Sequence, residues 1–359
     1  MHRPSPTRAL FAAAAILIPA TVDFCFAQPL AKPKPGDSPR GVLVLDGSPV
    51  HDVGILRVHA SNWGAIGSQP GSAGPFSEAP SAEWPSGSRV EYLYVAGIWV
   101  GALLNGIPAV STAAFATEFR PSSDPRDIVY ESHIGVAGGH RVPSANADDD
   151  SDGFLDEDPL DGFDNDLDGQ VDEDYAAISD QMLARRFRDD DPSVILPDHN
   201  PMGLFVREES YQFDDPGYDD FVGFTFTITN DGAGTLRDLY VGVLMDGDVG
   251  HRDTPNYWED DATGLLTRVV YHDPHPFRIY RFPYWYDVDG DGGQADAYAG
   301  IVLLDHPVDP TGTTAPTDVD VHTVSYFSGS LPYEEGGDPT NDFERYEVLS
   351  NGVIRQPPV

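Results

Sequence analysis

One cysteine, Cys25, stands in 359 residues, so the chain cannot close an internal disulfide or assemble a thiolate set for structural zinc. Basic residues are scarce as well: 21 Lys and Arg face 59 Asp and Glu, a formal net charge of −38. That balance argues against nucleic acid as a partner, because phosphate recognition needs basic patches. It also sets the compact state against its own charge unless cations bind. Long apolar runs are missing beyond residue 20, so no transmembrane span is expected in the mature chain. The fingerprints G-x-S-x-G, H-E-x-x-H, the P-loop and the dinucleotide turn do not occur.

What the chain does have is 40% hydrophobic and 11% aromatic residues, enough for a real core, together with 36 Gly and 32 Pro. That mixture suits a turn-rich, mainly β protein with antiparallel sandwich architecture. The amino terminus reads as an export leader. Arg3 and Arg8 precede the apolar run "ALFAAAAILIPA", and Ala27 is small enough for cleavage before Gln28. A lipoprotein signal is disfavoured, because Asp23 and Phe24 stand where small residues would precede Cys25. Residues 28–40 form a Pro-rich linker, and residues 41–145 an N-terminal β region. Residues 176–190 place Ile178, Met182, Leu183 and Phe187 roughly on one helical face, with Arg185, Arg186 and Arg188 late, which predicts the one helix. Residues 191–359 read as a β-sandwich domain. Within it "FTFTITNDGAGTLRDLYVGVLMD" predicts a hairpin turning at "NDGAG". The tail "SNGVIRQPPV" carries no terminal signature, as in a piece of a longer protein.

Residues 148–174 hold fourteen acids and no base. Set against itself at an offset of sixteen, "DDDSDGFLDED" falls on "DNDLDGQVDED" with seven of eleven positions identical. The shared pattern is D-x-D-x-D-G-x-h-D-E-D, where h is apolar. Calcium chemistry accounts for each part. Asp148, Asp150 and Asp152, and again Asp164, Asp166 and Asp168, would aim three oxygens into one tight loop. Gly153 and Gly169 permit the turn that follows. The carbonyls of Phe154 and Gln170, then Asp156 and Asp172, would add ligands, and Leu155 or Val171 would anchor each loop. An EF-hand is excluded, because Pro159 and Tyr175 hold the positions that need a bidentate Glu. Asp158, Asp161 and Asp174 would then close the sites. The alternatives are a solvated acidic linker, against which the phased glycines argue, and a catalytic pair, which so crowded a set of carboxylates does not suit. Magnesium fits less well than calcium, since it prefers to keep its waters.

A third match is "DVDGDGGQAD", with Asp287, Asp289 and Asp291 as ligands, and with Asp296 as the closing residue because Ala295 holds the ninth position. The pair Asp246 and Asp248 could join it across neighbouring loops. Tyr284 and Trp285, just upstream, could either stack on a sugar or pack in the core. "YHDPHP" offers His272 and His275 to zinc without an evident third ligand. His199, His251, His306 and His322 are scattered and show no motif.

The Asp loops resemble thrombospondin type 3 or dockerin-style repeats. The order of "NWG", "EWPSGS", "EYLYVAGIWVGAL", the Asp loops, "TITNDG" and "LYVGVLMDGDVG" resembles an uncharacterised group of large secreted bacterial β-rich proteins. The resemblance implies an exported, calcium-bearing β protein, at the cell surface or secreted, whose members often carry a carboxy-terminal anchoring domain. The leading expectation is a calcium-stabilised, non-catalytic structural or adhesive role, with an extracellular glycan or cell-surface protein as partner. The alternative is a calcium-dependent carbohydrate-binding or carbohydrate-active protein. A secreted hydrolase would need a cleft with two convergent carboxylates outside the Asp loops.

Overall fold

The structure, a computed structural model, describes the backbone of residues 7–11 and residues 44–114, 118–134, 159–165, 167, 169, 171, 172, 175, 177–191, 199–270, 278–329 and 331–357. The elements run in the order β1 (Thr7–Phe11), β2 (Val50–His51), β3 (Arg57–His59), β4 (Ala82–Glu83), β5 (Val90–Glu91), β6 (Val95–Leu104), β7 (Ile107–Thr112) and β8 (Tyr130–Ser132). Then follow β9 (Gln181–Arg188), β10 (Leu204–Gln212), β11 (Val222–Asn230), β12 (Leu236–Asp246), β13 (Gly250–His251), β14 (Asp261–Val270), β15 (Arg278–Asp287), β16 (Ala299–Gly300), β17 (Val324–Ser328) and the helix α1 (Asp342–Ser350).

The protein is mainly β, with antiparallel sheets and one α-helix among the described residues. Among the described residues four sheets share the strands, in the orders β17-β1-β12-β6-β7, β11-β10-β9-β8, β13-β5-β4-β3-β2 and β14-β15-β16. One cluster spans them, with Val58, Val90, Ile98, Val100, Phe187, Val206, Val243, Met245 and Trp285 at its centre. β6 is buried on both faces. Ile98 and Val100 point into that cluster, while Trp99 meets Val348 and Leu349 of α1. A strand covered on both sides has no reason to alternate polarity, which is why "YVAGIWVGAL" is apolar throughout.

The two halves of the chain interleave. β12 pairs along β6, β13 pairs with β5, and β9 pairs with β8 and β10. The boundaries expected around residues 145–191 therefore do not separate two sets of strands.

Two elements differ from their sequence-based expectation. Residues 181–188, expected within a helix, are the central strand β9. Its odd residues face inward, where Leu183 packs on Ala60 and Val129. Its even face is covered too, because Met182 and Ala184 lie against Leu160, Tyr175 and Ala177. Arg185 sits on the inner side, fully buried, and is held by Glu208 and by Ser210 Oγ at 3.0 Å. A buried arginine inside a two-sided strand removes the period-2 signal, and what remains imitates a helix. The strand β11 and the strand β12 were expected to pair as a hairpin. They lie in different sheets instead, so the turn at residues 231–234 carries the chain from one sheet to another.

Residues 7–11 lie inside the stretch read as a leader, yet they form β1. They pair with β12 (Ala9 opposite Met245) and with β17 (Thr7 opposite Ser328). If residues 1–27 are a cleaved leader, N-terminal sequencing of the mature protein is expected to begin at Gln28, which would remove β1 and leave the facing main chains of β12 and β17 unpaired. A mature chain that still contains Thr7 would overturn the leader reading.

Candidate metal centre

The acidic cluster that the structure assembles lies where β12 ends and where β14 meets β15. In that hairpin Asp261 stands directly opposite Asp287. Like charges facing each other across an antiparallel pair are destabilising unless something neutralises them. Asp260 precedes β14. After β15 the chain makes a short 3₁₀ turn at Gly290–Gly292, in which Asp289 caps the backbone N–H of Asp291. One carboxylate oxygen from each of Asp260, Asp287 and Asp289 lies within 4.8 Å of the others. Asp248, buried in the link that follows β12, lies near enough to Asp261 to act on its carboxyl.

Little on the protein side offsets this charge. Asp261 Oδ2 accepts from the Val249 N–H at 2.9 Å, but its Oδ1 is buried without a partner. Asp287 Oδ1 accepts from the Gly290 N–H, and its Oδ2 is likewise orphaned. Asp291 Oδ2 has only a long contact from the His251 N–H at 3.4 Å. The nearby Arg252 is committed to Glu91 at 2.5 Å. Burial, with Asp248, Asp287 and Asp260 adding to it, pushes the Asp261 carboxyl up to about 9. Burial, followed by Asp260 and Asp291, raises Asp287 as well. The Tyr257 hydroxyl, buried and unpartnered, is pushed up by burial and by Asp248. A position whose burial raises the Asp261 and Asp287 carboxyls together is a poor home for anions and a good one for a hard cation with oxygen ligands.

Most of this group was legible in the sequence. Asp287 and Asp289 are brought together, Asp291 lies on the same turn, and Gly292 takes a left-handed backbone (φ +69). Of the proposed pair Asp246 and Asp248, Asp248 lies near enough to Asp261 to help raise its carboxyl. Closure differs. Asp296 is exposed and outside the converging trio, whereas Asp260 joins it. Asp260 and Asp261 went unread because "EDDATG" has no ligand spacing of its own. Only the β14–β15 register brings them to Asp287.

Trp285 belongs to the core. It is 5% exposed, its indole N–H donates to the Tyr92 carbonyl, and its ring lies so close to Gly247 that a Cβ there would meet Cδ1 at 2.3 Å. The side chain thus holds the 246–248 link against β15 and supports the acidic cluster, and it cannot serve as a sugar platform. Tyr284 is half-buried and touches the rings of Tyr286 and Tyr298.

The repeat at 148–174 is described only in part. Asp148, Asp150, Asp152, Phe154, Asp156, Asp158, Asp166, Asp168, Gln170 and Asp174 lie outside the described residues, as do His272 and His275. In the second copy Gly169 adopts φ +102, the left-handed turn that the pattern requires. Asp164 accepts from the Leu167 N–H at 2.6 Å and the Gly169 N–H at 3.1 Å. Asp172 accepts from the Asp161 N–H at 2.6 Å and the Gly162 N–H at 2.8 Å. Asp161 was expected to close a calcium loop. One of its oxygens is paired with Arg186 at 3.0 Å, beneath a guanidinium that also stacks on Phe163. Val171 is half exposed and anchors nothing in the core. Leu160 and Tyr175 do that work, with the Tyr175 hydroxyl 2.6 Å from Ser132 Oγ.

An apolar cavity of about 540 Å³ lies between the sheets, lined by Trp84, Tyr92, Phe224, Phe226 and Met245 among others. Asp220 is the single carboxylate in that lining, so the cavity does not present the paired acids that a glycosidase uses.

Comparison with protein families, characterised proteins and solved structures returns no match. Fold and site together define an antiparallel β protein with acidic clusters that could hold a metal ion.

Proposed function

We propose that this chain is an exported, non-catalytic structural or adhesive protein of the cell surface or extracellular space, ordered by calcium. The observation that carries the reading is the crowd of carboxylates around the Asp261–Asp287 pair, two of whose oxygens are buried with no donor. Oxygen-only donors at several loop ends fit calcium better than zinc or magnesium. The phased Asp repeat, the leader and the absence of any disulfide-forming pair fit the same reading, with cations instead of covalent bonds fastening long loops.

The direct test is calorimetric titration of calcium into the chelator-stripped protein. A saturable heat is expected, and Asp287→Asn should weaken it by about tenfold or more. No heat in the wild type would end the calcium reading.

The carbohydrate alternative keeps one supporting feature. Tyr284, Tyr286 and Tyr298 form a contiguous ring cluster, with Tyr298 68% exposed. If that cluster is a platform, retention on a polysaccharide column should fall in Tyr298→Ala. Equal elution of wild type and variant would remove the alternative.

A further inference from the structure

A second group of metal-ligating side chains shares no residue with the acidic cluster. Glu118 follows β7, His199 precedes β10, and Asp342 opens α1. Each offers one ligand atom, and the three atoms lie within 4.8 Å of one another. Glu118 is 4% exposed, Asp342 7%, and the His199 side chain 4%. Glu118 Oε2, His199 Nδ1 and Asp342 Oδ1 are all buried without a hydrogen-bond partner.

The histidine is the informative member. Its Nε2 lies 3.2 Å from the Asp189 carbonyl, which can only accept, so Nε2 carries the proton. Asp189 is itself pinned: its carboxylate takes the Met202, Gly203 and Leu204 N–H groups and the Ser111 hydroxyl. The neutral ring therefore presents a bare Nδ1 lone pair to two carboxylates. A protonated ring would stand 3.9 Å from Glu118 Oε1, an ion pair that leaves the Nδ1–H without a hydrogen-bond acceptor. A metal-bound histidine characteristically donates its other N–H to a backbone carbonyl in this manner. Arg345 approaches Glu118 Oε1 at 2.9 Å and Asp342 Oδ1 at 3.7 Å, and supplies one positive charge against two carboxylates. One more positive charge is needed among the three orphaned atoms.

We propose that Glu118, His199 and Asp342 form a binding site for a divalent transition metal of the zinc class, clasping α1 to the segments that follow β7 and precede β10. The imidazole excludes calcium and magnesium, and the one-nitrogen, two-oxygen set suits zinc, iron(II) or cobalt(II). Ligands about 2.1 Å from one ion stand roughly 3.5 Å apart, so rotamer closure on the order of 1 Å completes the site. The rival occupant is a proton on Asp342, whose carboxyl burial raises to about 6. Work at pH 7.5 or above disfavours it.

Cobalt(II) is the probe, added to untagged, chelator-stripped full chain with calcium in excess. Excess calcium keeps the acidic loops filled and makes this result independent of the calcium reading. Intense visible d–d bands of a four- or five-coordinate site are expected, and zinc should displace them. His199→Ala should weaken binding about 100-fold or more. Glu118→Gln, which keeps the side-chain volume, should weaken it in a variant whose near-ultraviolet circular dichroism matches the wild type. A wild-type spectrum without such bands overturns the proposal, whatever the variants do. So do bands that persist unchanged in a folded His199→Ala or Glu118→Gln protein.

Discussion

Calcium should raise the melting temperature of the chelator-stripped chain by about 5 °C at pH 8, at a calcium concentration near a hundred times Kd, and by clearly less at pH 5. The pH dependence is the sharper half of this expectation. Without a cation, the folded Asp261 carboxyl titrates near 9, whereas in the unfolded chain it titrates near the ordinary Asp value of 3.8. A raised carboxyl keeps its full contribution to stability below the unfolded value and loses it as pH rises through the folded one. Between about pH 4 and pH 9 the metal-free fold therefore holds a proton that the unfolded chain has released, and stability falls as pH rises. Calcium takes the place of that proton, so its effect grows over the same window.

Other buried groups contribute whether or not calcium is present. Burial lowers His51 to about 3 and His59 to about 4, so their contribution is intact above 6.5 and disappears as pH falls through those values. Asp342, raised to about 6, runs in the same sense as Asp261 but lies at the other cluster. For this reason the measurement is the difference between calcium and EGTA at each pH, by differential scanning calorimetry, and not the melting curve alone. Asp261→Asn should flatten that difference while leaving the metal-free protein at least as stable as wild type at pH 8. A calcium increment equal at pH 5 and pH 8 would detach the site from Asp261.

The second large effect concerns the ion pair inside β9 and β10. Glu208→Gln should cost about 3–5 kcal/mol in urea denaturation, because it leaves Arg185 charged and uncompensated in a position with no solvent contact. Arg185 is held to Ser210, which also touches His51 Nε2 at 2.8 Å, and His51 sits there neutral. Among the described residues, Glu208 is the carboxylate that pairs with Arg185. Replacing both partners together, as Arg185→Met with Glu208→Leu, should recover most of the loss, since a buried pair gains little over apolar residues of similar volume. A single Glu208→Gln variant within about 0.5 kcal/mol of wild type would show that water or another anion reaches Arg185.

That pair also explains where pattern reading failed. Period-2 alternation reports a strand with one wet face, and β11, with Thr225 and Thr227 between its aromatics, obeys it. β9 has no wet face and carries an arginine inward, so its strand character was invisible. The turn after β11 was read in its place, but the partner of β12 could not be, because β6 lies more than a hundred residues upstream and only packing selects it. For the metal centre, the D-x-D-x-D-G spacing made Asp287, Asp289 and Asp291 legible one loop at a time. Asp260, Asp261 and the triad of Glu118, His199 and Asp342 carry no local spacing and were not.

By itself the sequence determined the β class, the scarcity of cross-links, the excess of negative charge and the left-handed Gly169 of the second Asp loop. Each of these depends on composition or on neighbours within a dozen residues. Only the tertiary structure decided which strands share a sheet, that Trp285 supports the acidic cluster from within, and that Asp161 pairs with Arg186. It also decided that orphaned ligand atoms from distant segments meet in two places. Those outcomes depend on long-range register and on burial, which turn an ordinary carboxylate into one that needs a cation.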